Sequence, residues 1–266
     1  MSDYLGIPCG PLHVLFQTAI SQMRLPTPNS DLIVRIAANR RDLVGAFELV
    51  YSAYLAKGYI RPHPERMVYQ PVFGLPSSRT MVAAVPGDEI VGTLSIVGDN
   101  PFGFQLETTY RDEVQSLRNE GRELAEITCL TIESAGGFRP TEVLVALTRF
   151  TIHYALWRGY DDLLMAVHPR HYRFYWRIFR ASPLGPARAH EVAEGNPALC
   201  CRIDLGNLKR NMMPELSWQY FSCLYRETQF MRPPINPADH QYCCNRTGVS
   251  SDLGYSVFSA SDRDAA

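Results

Sequence analysis

The sequence from Glu123 to Glu133 reads ELAEITCLTIE and is rich in β-branched residues. Such residues fit the pleated surface of a strand, so this stretch predicts a central β-strand. Farther along, Asp162–Val167 reads DLLMAV and is almost wholly apolar, as expected of a strand that is covered on both faces. These two strands, with a long helical pattern between them, define the middle of a predicted sheet.

The remaining elements follow from apolar spacing on either side of these strands. Further strands are predicted at 32–37, 80–85, 90–97 and 197–205, and helices at 12–23, 42–57, 105–120, 141–158, 171–179 and 214–227. Pro86-Gly87-Asp88 is a turn signal that favours a β-hairpin. From residue 32 onward the order is β-α-β-β-α-β-α-β-α-β, which requires a mixed sheet with helices on its faces.

The length of 266 residues predicts one domain with appendages. We divide the chain into an N-terminal helix and linker, a main domain, a helical extension and a tail, at residues 1–30, 31–206, 207–232 and 233–266. The tail is rich in small and polar residues without a period, and is therefore predicted to be largely disordered.

Charge and cysteine content exclude several classes of function. Lys plus Arg is 26 and Asp plus Glu is 27, a balance that gives no support to nucleic-acid binding. The seven cysteines lack zinc-ligand spacing, so free thiols and no metal are expected. The sequence shows neither a secretory signal nor a run of ~20 apolar residues, which predicts a soluble, cytoplasmic protein without a membrane span.

Three motifs carry a resemblance to a known family. A helix containing Tyr110-Arg111 and Leu117-Arg118 precedes the central strand, which itself carries EITCLTI at Glu126–Ile132. The run HPRHYRFY at His168–Tyr175 is the most specific of the three. Together they resemble the GNAT acyltransferases, in the branch that contains long-chain N-acyl amino acid synthases and acyl-homoserine lactone synthases. The resemblance covers roughly residues 30–206 and implies an α/β fold with a splayed central mixed sheet flanked by helices.

The resemblance also implies a reaction. The expected enzyme moves a long-chain fatty acyl group from an acyl carrier protein or coenzyme A thioester to the α-amine of an amino acid, with no bound cofactor. Two other enzyme readings stay open, namely an acyl-homoserine lactone synthase and an acetyl-coenzyme A-dependent GNAT. Cys129 stands where lactone synthases usually carry Arg, which weighs against the first. A non-catalytic module that binds acyl groups or a partner is the alternative of another class.

A thioester on pantetheine needs partners for its amide groups. Where two parallel strands splay apart, their unpaired N–H and C=O groups can bind pantetheine as an added strand and hold the developing oxyanion. The residues predicted to form this slot are Thr128, Cys129, Leu130, Thr131 and Ile132 on one strand, and Val167 and His168 on the other.

Phosphate binding is expected at the start of the helix that follows the central strand. Gly136 and Gly137 allow a close approach to the backbone, and Arg139 adds a positive charge. The pyrophosphate-binding loop that is usual in GNAT enzymes is not intact here, which favours an acyl carrier protein over coenzyme A. A helix entry without a ligand is the alternative.

Glu126 is the candidate base, or the anchor for the substrate ammonium, because an amine must lose a proton to attack. The alternative is a structural carboxylate paired with a nearby Arg. Tyr175 matches the tyrosine that protonates the leaving thiolate in many GNAT enzymes, with Tyr172 as second choice; core packing is the alternative for each.

Arginine residues lie next to these tyrosines in the sequence. Arg170 and Arg173 are candidates for binding the carboxylate of the amino acid or the acidic surface of a carrier protein. A solvated basic face is the alternative. Cys129 as a covalent nucleophile would need a nearby base, and a buried inert thiol is the favoured reading.

Overall fold

The computed structural model describes residues 31–133, 136–222 and 225–250. The helix predicted at 12–23 lies outside these residues. The strands are β1 (Ile33–Ile36), β2 (Ser78–Val85), β3 (Glu89–Gly98), β4 (Leu124–Ile132), β5 (Asp162–Val167), β6 (Ser182–Pro183), β7 (Arg188–Ala189) and β8 (Pro197–Asp204). The α-helices are α1 (Arg40–Ala56), α2 (Glu107–Asn119), α3 (Pro140–Arg158), α4 (Tyr172–Phe179), α5 (Leu205–Asn211), α6 (Pro214–Phe221) and α7 (Pro237–Thr247).

The strands form one mixed sheet in the order β1-β2-β3-β4-β5-β8-β6, and β7 pairs with β8. β2 and β3 form the predicted antiparallel hairpin. β4 and β5 are parallel, as expected for two strands connected by the crossover helix α3. The predicted mixed sheet with helices on its faces is therefore confirmed.

Two hydrophobic cores lie on opposite faces of the sheet. One core contains buried residues of α1, α2 and α7, such as Phe47, Val114 and Cys243. The other contains buried residues of α3 to α6, such as Phe150 and Tyr220. Burial of these side chains on both faces is the main favourable contribution to folding, and it holds the central strands in a layer between helices.

The parallel pair β4–β5 is hydrogen-bonded over a short stretch. The paired positions are Leu124 with Asp162, Ala125 with Leu163 and Glu126 with Leu164. Beyond them the two strands part, whereas β5 remains paired with β8 along all six of its residues. The sheet thus opens at its centre, which is the splay that the sequence predicts.

The closed end of this opening is held by a buried carboxylate. Asp162 has 0% of its surface exposed and accepts from Arg122 Nε and Arg202 Nε, each at 2.7 Å. The two guanidinium groups come from the loop before β4 and from β8, so three segments meet at one anion. Buried charges persist in this way when they are paired and hydrogen-bonded.

A β-bulge shapes the β4 side of the opening. Thr93 pairs with Thr131 and Ser95 pairs with Thr128, so two residues of β4 face a single residue of β3. Cys129 lies in this bulge with φ at +56°, a left-handed conformation that is uncommon for a residue with a side chain. The bulge turns β4 away from a regular ladder at the point where the gap to β5 widens.

The C-terminal region differs from its prediction. The tail from residue 233 was expected to be disordered, but Pro237–Thr247 forms α7, in which Cys243 and Cys244 are buried. The expectation of disorder is therefore wrong for this segment, because tertiary packing of two cysteines stabilises a helix that shows no apolar period. The helix predicted at 214–227 ends earlier, at Phe221, and the two-residue strands β6 and β7 were not predicted.

The five cysteines within the described ranges, at 129, 200, 201, 243 and 244, are all buried free thiols. None of the helices in these ranges combines the length and the apolar composition that a membrane span needs.

Candidate active site

The opening in the sheet leads into a cavity of about 260 Å³. It is lined by the bulged part of β4, by the end of β5 and by helices on both faces of the sheet. Thr148 and Thr151 come from α3 on one face, and Tyr54 and Lys57 come from the end of α1 on the other. The cavity therefore passes through the sheet where β4 and β5 part.

Glu126 lies at the point where the two strands separate. Its side chain is 3% exposed and lines the cavity. The Gln105 backbone N–H donates to Oε2 at 2.8 Å, and the Leu106 N–H donates to Oε1 at 3.2 Å. These amides belong to the loop that leads into α2, so the start of that helix holds the carboxyl group. Its partners are thus backbone amides, and within the described residues no Arg forms the ion pair that the structural alternative expected; the role of Glu126 as a base stays a prediction.

The environment of Glu126 makes its carboxylate an unusually strong base for a glutamate. Burial raises the pKa of its carboxyl to about 8, while the two backbone hydrogen bonds lower it and the nearby Glu107 raises it. Burial has this effect because the charged form loses its hydration. A carboxylate with such a pKa is a stronger base toward an ammonium group than an ordinary glutamate is.

Two tyrosines face the cavity together with Glu126. Tyr175, the predicted proton donor, lines it from α4, and burial raises the pKa of its phenol to about 12. Tyr54 lines it from α1; burial raises the pKa of this phenol well above its usual value, and hydrogen bonding to the Cys129 backbone lowers it in part. Tyr172 lies outside the lining, packed against the core of α3 to α6. The roles of Tyr175 and Tyr172 stay predictions.

Cys129 lines the cavity but lacks the surroundings of a nucleophile. Burial raises the pKa of its thiol to about 12, and Glu126 raises it further, while hydrogen bonds from Thr128 and Tyr54 lower it. A thiol with such a pKa carries almost no thiolate at neutral pH. The reading as an inert thiol is the one that this geometry favours.

The predicted donor-binding residues divide into two groups. Those that line the cavity are Thr128, Cys129, Leu130, Val167 and His168. Those that lie outside its lining are Thr131, Ile132, Gly136, Gly137 and Arg139. The second group lies at the end of β4 and before α3, beyond the cavity, and its role in binding a donor stays a prediction.

The start of α3 has a feature unfavourable to a polyphosphate. The Arg139 backbone N–H donates to Glu142 Oε2 at 2.9 Å, so a carboxylate already occupies part of the helix N-terminus. Gly136 and Gly137 have φ of +64° and +78°, and a Cβ at Gly136 would collide with Val85. The conformation and packing of the backbone thus account for both glycines without a ligand.

Basic groups surround the mouth of the cavity. His168 and His171 line it, as does Lys57. Arg170 lies one step behind: its Nε donates to His171 Nε2 at 3.1 Å and a terminal nitrogen donates to the Tyr59 hydroxyl at 3.5 Å. Arg170 and Arg173 are both exposed and lie outside the lining.

Sequence reasoning missed Lys57, Tyr54, Gln105 and His190, all of which contribute to the cavity. His190 is 7% exposed and its Nδ1 is 2.8 Å from the Thr109 hydroxyl. One signal was available for Lys57, because it is one of only two lysines in the chain. The other three lack a local pattern and converge only through the fold.

Comparison with known proteins agrees with this geometry. Residues 45–204 match the family model described as N-acyl amino acid synthase FeeM. No curated protein sequence matches the chain. Among solved structures, FeeM, an N-acyl amino acid synthase from uncultured soil microbes, is similar with a TM-score of 0.60 and 22% identity, over 68% of this chain and 96% of FeeM.

Two further structures share the fold. The AHL synthase LasI has a TM-score of 0.56 and 17% identity, over 74% of this chain and 98% of LasI. TofI, solved with an inhibitor and MTA, has a TM-score of 0.53 and 12% identity, over 70% of this chain and 100% of TofI. These likenesses confirm the expected GNAT-type fold. Because the family match spans more than half of the residues, the chain belongs to the FeeM family of N-acyl amino acid synthases and is an acyltransferase.

Proposed function

We propose that this chain transfers a long-chain fatty acyl group from an acyl carrier protein thioester to the α-amine of an amino acid, by direct attack of the amine. The observation that carries the proposal is the opening between β4 and β5 with Glu126 at its inner end. An extended thioester arm fits such a gap, and the carboxyl beside it supplies a base where the amine must lose its proton.

The unpaired backbone groups of β4 and β5 support the proposed position of the donor between these strands. Past Glu126 and Leu164, the parallel ladder between β4 and β5 ends. Pantetheine carries two amides and can bond to these edges as an inserted strand does. The bulge at Cys129 interrupts the ladder on the β3 side of β4 as well, and its backbone amides are candidates for binding the oxyanion.

An acyl carrier protein is favoured over coenzyme A by the start of α3. The Glu142 carboxylate hydrogen-bonds the Arg139 N–H and adds a negative charge at the position where a pyrophosphate would bind. Like charges close together are unfavourable, and part of the donor capacity of the helix N-terminus is already used. A carrier protein presents a single phosphodiester on its pantetheine arm and is less affected.

The apolar part of the cavity suits the acyl chain. On the α3 face, the lining comes from residues of the hydrophobic core, among them Ile152, Phe179 and Ile203. The hydroxyl of Thr151 donates to the Leu147 carbonyl at 2.9 Å, so it presents no unpaired donor to the cavity. A fatty chain is therefore stabilised here by burial of its methylene groups.

The polar part of the cavity suits the amine. In the proposed step, the amino acid ammonium transfers a proton to Glu126, and the amine lone pair attacks the thioester carbonyl carbon. The tetrahedral intermediate then collapses: the C–S bond breaks, the pantetheine sulfur takes a proton from Tyr175, and the positively charged nitrogen releases its second proton to solvent, which leaves the neutral amide. Glu126 loses its proton to solvent, and Tyr175 regains one, which completes the cycle.

Product identification tests the proposal. Purified protein is incubated with a dodecanoyl thioester of acyl carrier protein and each of the twenty amino acids, and thiol release is measured together with the mass of the product. A new N-dodecanoyl amino acid is the expected result. Dodecanoyl-coenzyme A at equal concentration serves as the matched donor and should give a lower kcat/KM.

Two outcomes would contradict the proposal. Turnover with acetyl-coenzyme A alone would remove the long-chain assignment. Formation of an acyl lactone from S-adenosylmethionine, with no N-acyl amino acid from any of the twenty, would identify a lactone synthase.

A further inference from the structure

Charged groups are few in the cavity, and they have opposite signs. Among the described residues that line it, Glu126 is the one carboxyl group and Lys57 is the one side chain with a fixed positive charge. An α-amino acid also carries opposite charges, on its ammonium and its carboxylate. The cavity thus places one carboxyl group and one ammonium group where an amino acid presents its amine and its carboxylate.

The histidines of the lining are weak competitors for an anion. Burial lowers the pKa of His168, His171 and His190 below the usual value, and the cations Arg170 and Lys57 lower that of His171 further. Each imidazole is therefore mostly neutral at neutral pH. A neutral imidazole binds a carboxylate less strongly than a cation does.

The ammonium group of Lys57 is available for a ligand. Lys57 caps the C-terminal end of α1 and is exposed at the mouth of the cavity. Within the part of the chain that the structure describes, its side chain forms no ion pair and no hydrogen bond. Arg170 and Arg173, the cations predicted for this role, are outside the lining, and Arg170 is engaged with His171 and Tyr59.

We infer that Lys57 binds the carboxylate of the acceptor amino acid while the α-amine of the same molecule faces Glu126. This inference rests on the proposed function and assigns the residue that distinguishes amino acids from simple amines. In this inference Lys57 binds the acceptor and takes no part in the chemical step. Its substitution should not affect binding of the donor, because the thioester arm is proposed to lie in the gap between β4 and β5.

Steady-state kinetics with two acceptors test the inference. The first acceptor is the amino acid that gives the highest turnover, and the second is its carboxamide, which lacks the negative charge. For Lys57→Met we expect KM for the amino acid to rise roughly 10- to 100-fold, because a charge-assisted contact is lost. The kcat and the KM for the carboxamide should stay within about twofold of wild type.

The second lysine supplies a matched control. Lys209 is an exposed residue of α5, and its ammonium lies over the Phe221 ring, remote from the cavity lining. Lys209→Met should leave every constant unchanged, and Lys57→Arg should restore most of the affinity for the amino acid.

Three results would overturn the inference. An unchanged KM for the amino acid in Lys57→Met would show that the ammonium does not bind the acceptor. A rise in the KM of the donor alone would place Lys57 against the carrier protein or its phosphate. If the wild-type protein acylates none of the twenty amino acids, the proposed function fails and this inference fails with it.

Discussion

At Glu126, burial and two backbone N–H groups act on one carboxyl in opposite directions. Burial dominates and raises the pKa of this carboxyl to about 8. Below that pH the group is mostly protonated and cannot accept a proton, and above it the group is the required base. We therefore expect kcat/KM to increase with pH up to about 8, in a profile measured by thiol release.

Glu126→Gln tests the origin of that profile. The variant should lose roughly 10²- to 10⁴-fold in kcat, the usual contribution of a general base. It should retain only the inflection that belongs to the acceptor amine. Glu133→Gln, at an exposed residue directly after the same strand, is the control and should behave like wild type. Wild-type kcat in Glu126→Gln would exclude this carboxyl from the chemistry.

Cys129, in contrast to Glu126, is expected to take no part in the chemical step. Because burial raises the pKa of its thiol to about 12, the residue is a poor nucleophile despite its place in the lining. Cys129→Ala should retain kcat within about threefold, since the thiol takes no part in direct transfer. Mass spectrometry of the intact wild-type protein after mixing with donor should show no acyl adduct. An acyl adduct that disappears in Cys129→Ala would establish a covalent route.

At the scale of elements, α7 shows what the sequence could not reveal. Strand β5 was predicted at its observed bounds because its apolar residues are consecutive and leave one interpretation. Helix α7 has only Cys243 and Cys244 buried, and two adjacent cysteines give neither a helical nor a strand period. Its stability comes from contacts with segments that are distant in sequence, and local patterns do not encode those contacts.

Gly74 lies close against α7 and leaves no room for a side chain. A Cβ at this residue would collide with the ring of His240 on α7, and that ring is held by the Tyr69 hydroxyl at 2.8 Å. Gly74→Ala should therefore lower the free energy of unfolding by about 1–3 kcal/mol, as overpacking usually does. The measurement is chemical denaturation followed by circular dichroism.

A double-mutant cycle isolates the cause. In the His240→Ala background the collision is removed, so adding Gly74→Ala should cost less than about 0.5 kcal/mol. Equal costs in both backgrounds would show that the destabilisation arises from the backbone conformation of the short 3-10 helix Pro71–Gly74, independent of α7.

The site was predictable to the extent that its residues belong to short motifs within one segment of the sequence. Glu126, Thr128 and His168 belong to motifs that a sequence displays, and all three line the cavity. The hydrogen bonds to Glu126 come from backbone amides of a loop. Every residue except proline has such an amide, so the residue types in the sequence do not reveal these donors. Lys57 lies about 70 residues before Glu126 in the sequence, at the end of another helix. Only the fold brings Lys57 and Glu126 to the same cavity.

At the scale of the whole molecule, the cavity joins the two layers that flank the sheet. Its lining includes Ile152 and Phe179 from one hydrophobic core and Phe73 and Cys129 from the other. In the proposed reaction, the acyl chain and the amino acid approach the gap from opposite faces. Chain length and acceptor choice are then set by different helices and should vary independently.

Thr151 tests this separation. The residue is buried on α3, next to the proposed acyl chain. Thr151→Leu should shift the preferred donor to shorter acyl chains, because the larger side chain fills the end of the cavity. The measurement is the product distribution from a mixture of short, medium and long acyl carriers with one amino acid.

The controls for Thr151→Leu are a smaller change and a second substrate. Thr151→Val removes the hydroxyl without adding length and should keep the wild-type distribution. The KM for the amino acid should be unchanged in both variants. A change in amino acid preference with an unaltered acyl distribution would contradict the assignment of faces.

Asp162 and its two arginines lie at the closed end of the β4–β5 pair, two residues before the last paired position, Glu126 with Leu164, beyond which the strands diverge. From Asp162 to Val167 the strand extends about 16 Å at ~3.3 Å per residue. A tilt of β5 by a few degrees at Asp162 therefore moves Val167 by on the order of 1 Å. A misplacement of that size near the reacting groups can reduce a rate by about 100-fold. Substitutions around Asp162 would therefore alter the width available to the thioester without touching any residue that contacts it.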